Sequence, residues 1–169
     1  MPRATRVLAA AERRDRPIID TVILDYAQRI VQKIAVTGVK GGAFEVDLHQ
    51  PVRLRTDDLL LLDDGGLVEV VAALEPLVEA RAADLAALAR LAWYLGDRHV
   101  PVQLLPNRIR ARRDAAVEAL LKSLGVKVTT IEAPFEPEGG AYALSHGHDH
   151  GHTHDHYGHS HGHSHHHDH

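Results

Sequence analysis

The chain has 169 residues, with 19 Lys and Arg against 23 Asp and Glu, 15 His, one Met and no Cys. This composition excludes a disulfide framework, a thiolate zinc site and an iron–sulfur cluster, and it disfavours soft cuprous sites. A formal charge of −4 gives no reason to expect nucleic acid as a partner.

Residues 1 to about 73 read as short strands. A candidate at 3–10 is followed by a charged break at 12–16. Pro17 then opens a β-branched strand at 18–24. A third candidate spans 30–39. Gly41-Gly42 is a turn signal, and Phe44, Val46 and Leu48 alternate apolar with polar beyond it, which is a hairpin pattern. Val52 and Leu54 alternate with Arg53 and Arg55, and a strand at 59–62 runs into the tight turn Asp63-Asp64-Gly65-Gly66.

The texture then changes. A strand is expected at 67–73. A helix is expected at 82–95, with Leu85, Leu88, Ala92 and Leu95 on one face. Strands follow at 100–105 and 109–112. A second helix at 114–124 has Asp114 as its cap, Val117, Leu120, Leu121 and Leu124 as its apolar face, and Gly125 after its end. A β-branched strand at 126–131 completes a β-α-β-β-α-β order, the split arrangement of ferredoxin-like folds. Residues 133–142 read as a linker.

From Ser145 to the end, thirteen of 25 residues are His and none is aliphatic. Such a segment cannot bury enough apolar surface to offset its ordering entropy, so it is expected to be disordered without metal. Its imidazoles, beginning with His146, His148, His150, His152 and His154, are borderline ligands suited to nickel, zinc, copper and cobalt. Gly and Asp between them let the chain fold back on one ion. The breaks at Gly, Asp, Ser and Tyr157 distinguish it from the unbroken run usual in a purification tag. A passive metal sponge is an alternative that the tail alone leaves open.

The expected class is therefore α+β: an N-terminal small all-β domain over 1–73, a ferredoxin-like domain over 74–144, and a His-rich metal-binding tail over 145–169. No apolar run approaches bilayer-spanning length, and the N-terminus carries Arg3 and Arg6 without an apolar signal segment. A cytoplasmic protein with no membrane partner is expected.

Two histidines lie outside the tail. His99 sits in the connection between the first helix and the next strand, constrained by Gly96 and Pro101. One imidazole cannot hold a metal tightly, but two can meet where identical chains pair across a two-fold axis. The bland alternative is a loop histidine bonded locally. His49 reads as a surface loop residue. Trp93 and Tyr94 read as packing or interface residues, and Arg108, Arg110, Arg112 and Arg113 as a solvated basic face. No catalytic nucleophile, phosphate loop or catalytic constellation emerges, so an enzyme is not expected.

The stretch Trp93-Tyr-Leu-Gly-Asp-Arg-His99-Val-Pro-Val-Gln103 resembles the Leu-Gly-Asn-Arg-His-x-Pro-x-Gln signature of the UreE urease accessory family, the nickel metallochaperones of urease maturation. Ala133-Pro-Phe-Glu-Pro-Glu-Gly-Gly-Ala-Tyr142 is similar to that family's pre-tail segment, and Arg53-Leu-Arg-Thr-Asp-Asp-Leu-Leu-Leu-Leu-Asp-Asp-Gly65 to the end of its first domain. The resemblance implies an N-terminal β domain, a ferredoxin-like C-terminal domain and a homodimer formed through the latter. It also implies a first domain of partner- or peptide-binding type, metal binding by the second domain, and Ni(II) held by a pair of histidines at the position of His99, with His146 and the tail as further ligands; the imidazole ligand set itself would equally take Zn(II) or Cu(II) in vitro. The implied partners are the urease accessory GTPase and the urease assembly complex. One departure stands out: many relatives carry His after the Asp that opens the second helix, where this chain has Asp114-Ala115. Two rivals remain, a His-tail storage or buffering protein without specific delivery, and a metal-dependent hydrolase needing several convergent core ligands.

Overall fold

Alternation shapes the longest strand of the first sheet. In β4 (Ala43–Arg53), Phe44, Val46 and Leu48 are buried, while Glu45 and Asp47 on the opposite face pair with Arg3 and Lys33. The other strands are β1 (Arg3–Leu8), β2 (Ile18–Leu24), β3 (Ile30–Thr37), β5 (Leu59–Leu62) and β6 (Leu67–Ala72), of which β5 and β6 also bury adjacent residues, Leu59-Leu60 and Leu67-Val68. The computed structural model describes residues 1–140. The six strands form one sheet in the order β2-β6-β5-β1-β4-β3, with β1–β4 and β2–β6 parallel. Its core holds Val22, Val46, Leu54, Leu60, Val68 and Val70 among others.

The two ends of this sheet are tied together. The turn between β3 and β4 reaches β2, where the Val39 N–H donates to Thr21 O at 2.8 Å and the Lys40 N–H to Asp20 Oδ1 at 3.0 Å. Asp20 is nearly buried and also accepts from the Thr21 N–H. A side chain on Gly38 would have its Cβ 2.1 Å from that carboxylate, so glycine is required there for space.

The second sheet has four strands, β7 (Leu74–Arg81), β8 (Val102–Leu105), β9 (Arg108–Arg112) and β10 (Lys127–Pro134), in the order β10-β7-β9-β8 and antiparallel at every pairing. Helices α1 (Leu85–Asp97) and α2 (Ala115–Ser123) follow β7 and β9 and share a core with Val78, Ala80, Ile109 and Ala111. Asp84 caps α1 by accepting from the Ala87 N–H, and Asp114 caps α2 by accepting from Ala116 and Val117.

Several expectations need correction. The strand at the end of the first region stops at Ala72 and belongs to the first sheet. A separate strand, Leu74–Arg81, opens the second. Its acids disguise it, because Glu75 and Glu79 are buried and matched by arginines of β9: Arg110 at 2.9 Å and Arg108 at 3.5 Å from Glu79, and Arg112 at 3.6 Å from Glu75. The basic cluster is therefore not simply a solvated face. Leu85 is 77% exposed, and the buried face of α1 is built on Leu91 and Leu95 instead. Residues 10–12 form a 3-10 turn rather than the end of β1.

Candidate metal centre

Helix α1 ends in a way that fixes His99. Leu95, Gly96 and Asp97 are its last three residues and Arg98 caps it. The His99 N–H donates to Gly96 O at 2.9 Å and the Val100 N–H to Leu95 O at 3.0 Å. This pair of bonds defines a Schellman motif, whose pivotal residue adopts the left-handed region and is usually glycine. Here it is His99, at φ +56°. Gly96 lies inside the helix and is not the left-handed residue, so the constraint falls on His99 itself. Left-handed backbone is costly for a side-chain-bearing residue, and an outlier of this kind raises a hypothesis of function.

His99 is exposed. It opens on a groove of about 370 Å³ lined also by Val100, Pro101, Arg112, Arg113, Asp114 and Val117. The groove thus runs from the end of α1 to the capped start of α2. Ala115 is the first residue of α2 and is exposed. One helical turn before the Schellman motif, Trp93 is 73% and Tyr94 45% exposed.

His49 is not a loop residue. It lies within β4 on the first sheet, exposed, and its carbonyl accepts from Gln32 Nε2 at 3.4 Å. The two sheets keep His49 and His99 apart in the fold, and among the described residues no group of three or more His, Asp or Glu is placed to hold one ion. One chain's described residues therefore offer a single imidazole at His99, a donor set too small for tight binding on its own. His146, His148, His150, His152 and His154 lie outside the described residues. No helix among the described residues is long and apolar enough to cross a membrane.

Sequence reasoning missed the seam between the sheets. Arg29 is fully buried there, with Nη1 2.8 Å from Glu136 Oε1 and 3.4 Å from Leu54 O, and with Nη2 donating to Phe135 O. Tyr26 packs edge-to-face on Phe135, with Arg53 and Arg112 over its ring, and its N–H donates to Glu75 Oε2 at 2.8 Å. Arg29 follows a turn in the sequence like any solvated cation. Only its partner, 107 residues away, gives it meaning.

Comparison with known proteins follows the same two-part division. Residues 4–73 match the family model described as UreE urease accessory protein, N-terminal domain, and residues 75–169 match the corresponding C-terminal domain. A urease accessory protein UreE of Bradyrhizobium sp. strain BTAi1 is 53% identical over 152 residues, covering 88% of this chain and 73% of the relative. One from Bradyrhizobium sp. strain ORS 278 is 51% identical over 149 residues, covering 88% and 70%. One from Beijerinckia indica is 46% identical over 143 residues, covering 85% and 82%. The chain belongs to the UreE urease accessory protein family, whose members are accessory proteins and not enzymes.

Proposed function

We propose that this protein carries Ni(II) for urease maturation, binding it through His99 of two chains and passing it to the urease assembly complex. The observation that carries the reading is the backbone of His99. A histidine occupies the left-handed position that glycine fills at lower cost, and its imidazole is exposed. Packing gives no reason for that choice; ligand chemistry does.

The solitary imidazole supports a site shared between copies. A two-fold axis brings identical residues together, so two exposed His99 side chains can meet on one ion. The exposed Trp93 and Tyr94 lie in the turn before it and supply apolar surface for a homodimer contact on the same side. The β-α-β-β-α-β order of 74–134 and its β10-β7-β9-β8 sheet support a ferredoxin-like dimerisation domain beside an all-β domain ending near residue 73. The cargo is written as nickel on family grounds; the imidazole chemistry also accepts Zn(II) or Cu(II).

The tail feeds this site. The Glu138 N–H, in the segment before the tail, donates to Val102 O at 2.7 Å on β8, and Val102 is three residues from His99 in the chain. His146 is eight residues beyond Glu138, a reach of at most about 28 Å, against at most about 10 Å from Val102 to His99. His146 to His154 of the same chain are therefore within tether reach of His99. A site with few protein ligands leaves open positions, so an incoming ligand of the cytoplasmic GTPase partner can bind before His99 lets go.

Nickel titration by calorimetry with light scattering tests this. The full chain, a chain ending at Leu144, and that chain carrying His99→Ala are compared. The expected result is about one tight nickel per truncated dimer, lost with His99→Ala. If the truncated dimer binds no nickel above background, the protein is a tail-borne reservoir without a delivery site.

A further inference from the structure

Strands β1 and β4 are parallel neighbours for only two residue pairs, Arg3 with Glu45 and Ala4 with Val46. Beyond these, each strand is held on its other side alone. Val7 and Leu8 of β1 pair with Leu60 and Leu59 of β5. In β4, Asp47 and Val52 lie opposite Lys33 and Val31 of β3, so residues 48–51 answer the single residue Gln32. That is an enlarged bulge, and a bulge bends its strand and interrupts the ladder. Where β1 and β4 part, a groove of about 530 Å³ opens, with Val7 and Leu8 on one wall and Leu48, His49 and Val52 on the other.

Backbone, floor and rim of this groove each select an occupant. Beyond Ala4 and Val46, the backbone groups that the two walls turn toward each other have no ladder partner. The Thr5–Leu8 wall accommodates about four residues of strand, roughly 13 Å. The floor is apolar: Leu8 and Leu48 are buried, and Val7 and Val52 are half-buried. The rim is polar and exposed, with Arg6, His49 and Arg55. Neither Arg6 nor Arg55 is in an ion pair among the described residues. The acids of the groove are already engaged, Glu12 accepting from the Ala9 N–H at 2.7 Å and Asp58 from the Arg55 N–H at 2.7 Å. Directly after Glu12, Arg13, Arg14 and Arg16 are exposed.

We propose that this groove takes an extended acidic segment of a partner protein, which enters between β1 and β4 as an added strand. Main-chain bonds to the two walls supply affinity whatever the sequence, and side chains supply the selection. Residues alternate along a strand, so one face of the segment packs on the apolar floor while the other carries carboxylates to the rim. A carboxylate there meets guanidinium donors in charge-assisted bonds, whereas a basic segment meets like charge. The site stands on the first sheet alone and does not depend on metal at His99.

The test uses the full-length protein and a fluorescent, N-acetylated octapeptide of alternating Glu and Val, beside its Lys–Val counterpart. Anisotropy should show saturable binding of the acidic peptide and binding of the basic one weaker by on the order of tenfold. Arg6→Glu combined with Arg55→Glu should weaken the acidic peptide by a similar factor, and added salt should weaken it in the unaltered protein. Amide hydrogen exchange in the unaltered protein locates the peptide, and it keeps the test decisive even if the double variant fails to fold. Exchange should slow within residues 5–8 and 48–52 when the acidic peptide is added. No saturable binding, equal binding of the two peptides, or protection confined to other strands overturns the proposal. Protection of 5–8 and 48–52 that rises with protein concentration, without peptide, makes a second copy the occupant and overturns it too.

Discussion

Arg29 and Glu136 are 107 residues apart in the chain and 2.8 Å apart in space, one fully buried and the other 30% exposed. That asymmetry sets an order for their removal. Glu136→Ala leaves a buried guanidinium facing only carbonyl oxygens, at a cost of about 2–4 kcal/mol. Arg29→Met removes the buried charge itself, and Glu136 can turn toward water. The remaining cost is the unbonded carbonyls of Phe135 and Leu54, about 1–3 kcal/mol. Urea denaturation should rank Glu136→Ala as the more damaging change. The reverse ranking would mean that Arg29 acts chiefly through packing of its stem.

His99 separates stability from chemistry. Its left-handed backbone costs an L-residue about 1–2 kcal/mol. Glycine avoids that penalty but adds about 0.5–1 kcal/mol of unfolded-state entropy. His99→Gly should therefore stabilise the fold by roughly 0.5 kcal/mol while removing the imidazole. A raised thermal midpoint with loss of tight nickel would show a residue kept for binding against the preference of its backbone. A lowered midpoint would mean that the His99 ring packs in the groove and supports the fold.

Much of this architecture was legible because burial follows simple periods. The alternation of Phe44, Val46 and Leu48 gave β4, and α2 was framed by Asp114 at its start and Gly125, at φ +67°, after its end. Strand β7 was not legible. Glu75, Pro76 and Glu79 look like a solvated break, and only the arginines of β9, some 30 residues later, neutralise the acids. The parallel pairing of β1 with β4 and of β2 with β6 has no local signal either, since it is set by which faces need covering. At the candidate site, the motif pointed to His99, but neither its left-handed backbone nor the bond from the Glu138 N–H to Val102 O follows from spacing. Both depend on hydrogen bonds that only the folded chain makes.

Asp20 makes the first sheet acid-sensitive. Its carboxyl is held below the ordinary value of 3.8, chiefly by the Lys40 N–H, with burial opposing and the N–H groups of Thr21 and Gly42 and the Lys40 charge adding to the effect. A depressed folded value means the contribution is complete above the unfolded value and is lost as pH falls through the folded one. The window therefore opens near pH 3.8 and extends below it. Asp20→Asn should lower stability at neutral pH and flatten the acid limb of the stability curve. An acid limb as steep as that of the natural chain would assign it to other carboxylates. Glu45 is the next candidate, its value lowered first by Lys33 and then by Arg3.

Metal capacity should fall in a different window. The tail carries thirteen imidazoles but only three carboxylates, Asp149, Asp155 and Asp168. A free imidazole protonates at about 6.5, and only its neutral form ligates a metal. Binding therefore displaces protons once pH drops toward that value, and apparent affinity declines with it. Nickel capacity of the full chain should shrink between about pH 7.5 and 5.5, and protons released per nickel should rise over the same range. Calorimetry in two buffers of different ionisation enthalpy measures both. If capacity holds at pH 5.5 with no proton release, carboxylates rather than imidazoles bind the metal, and the tail cannot be the histidine feeder that the placement of Glu138 on β8 supports.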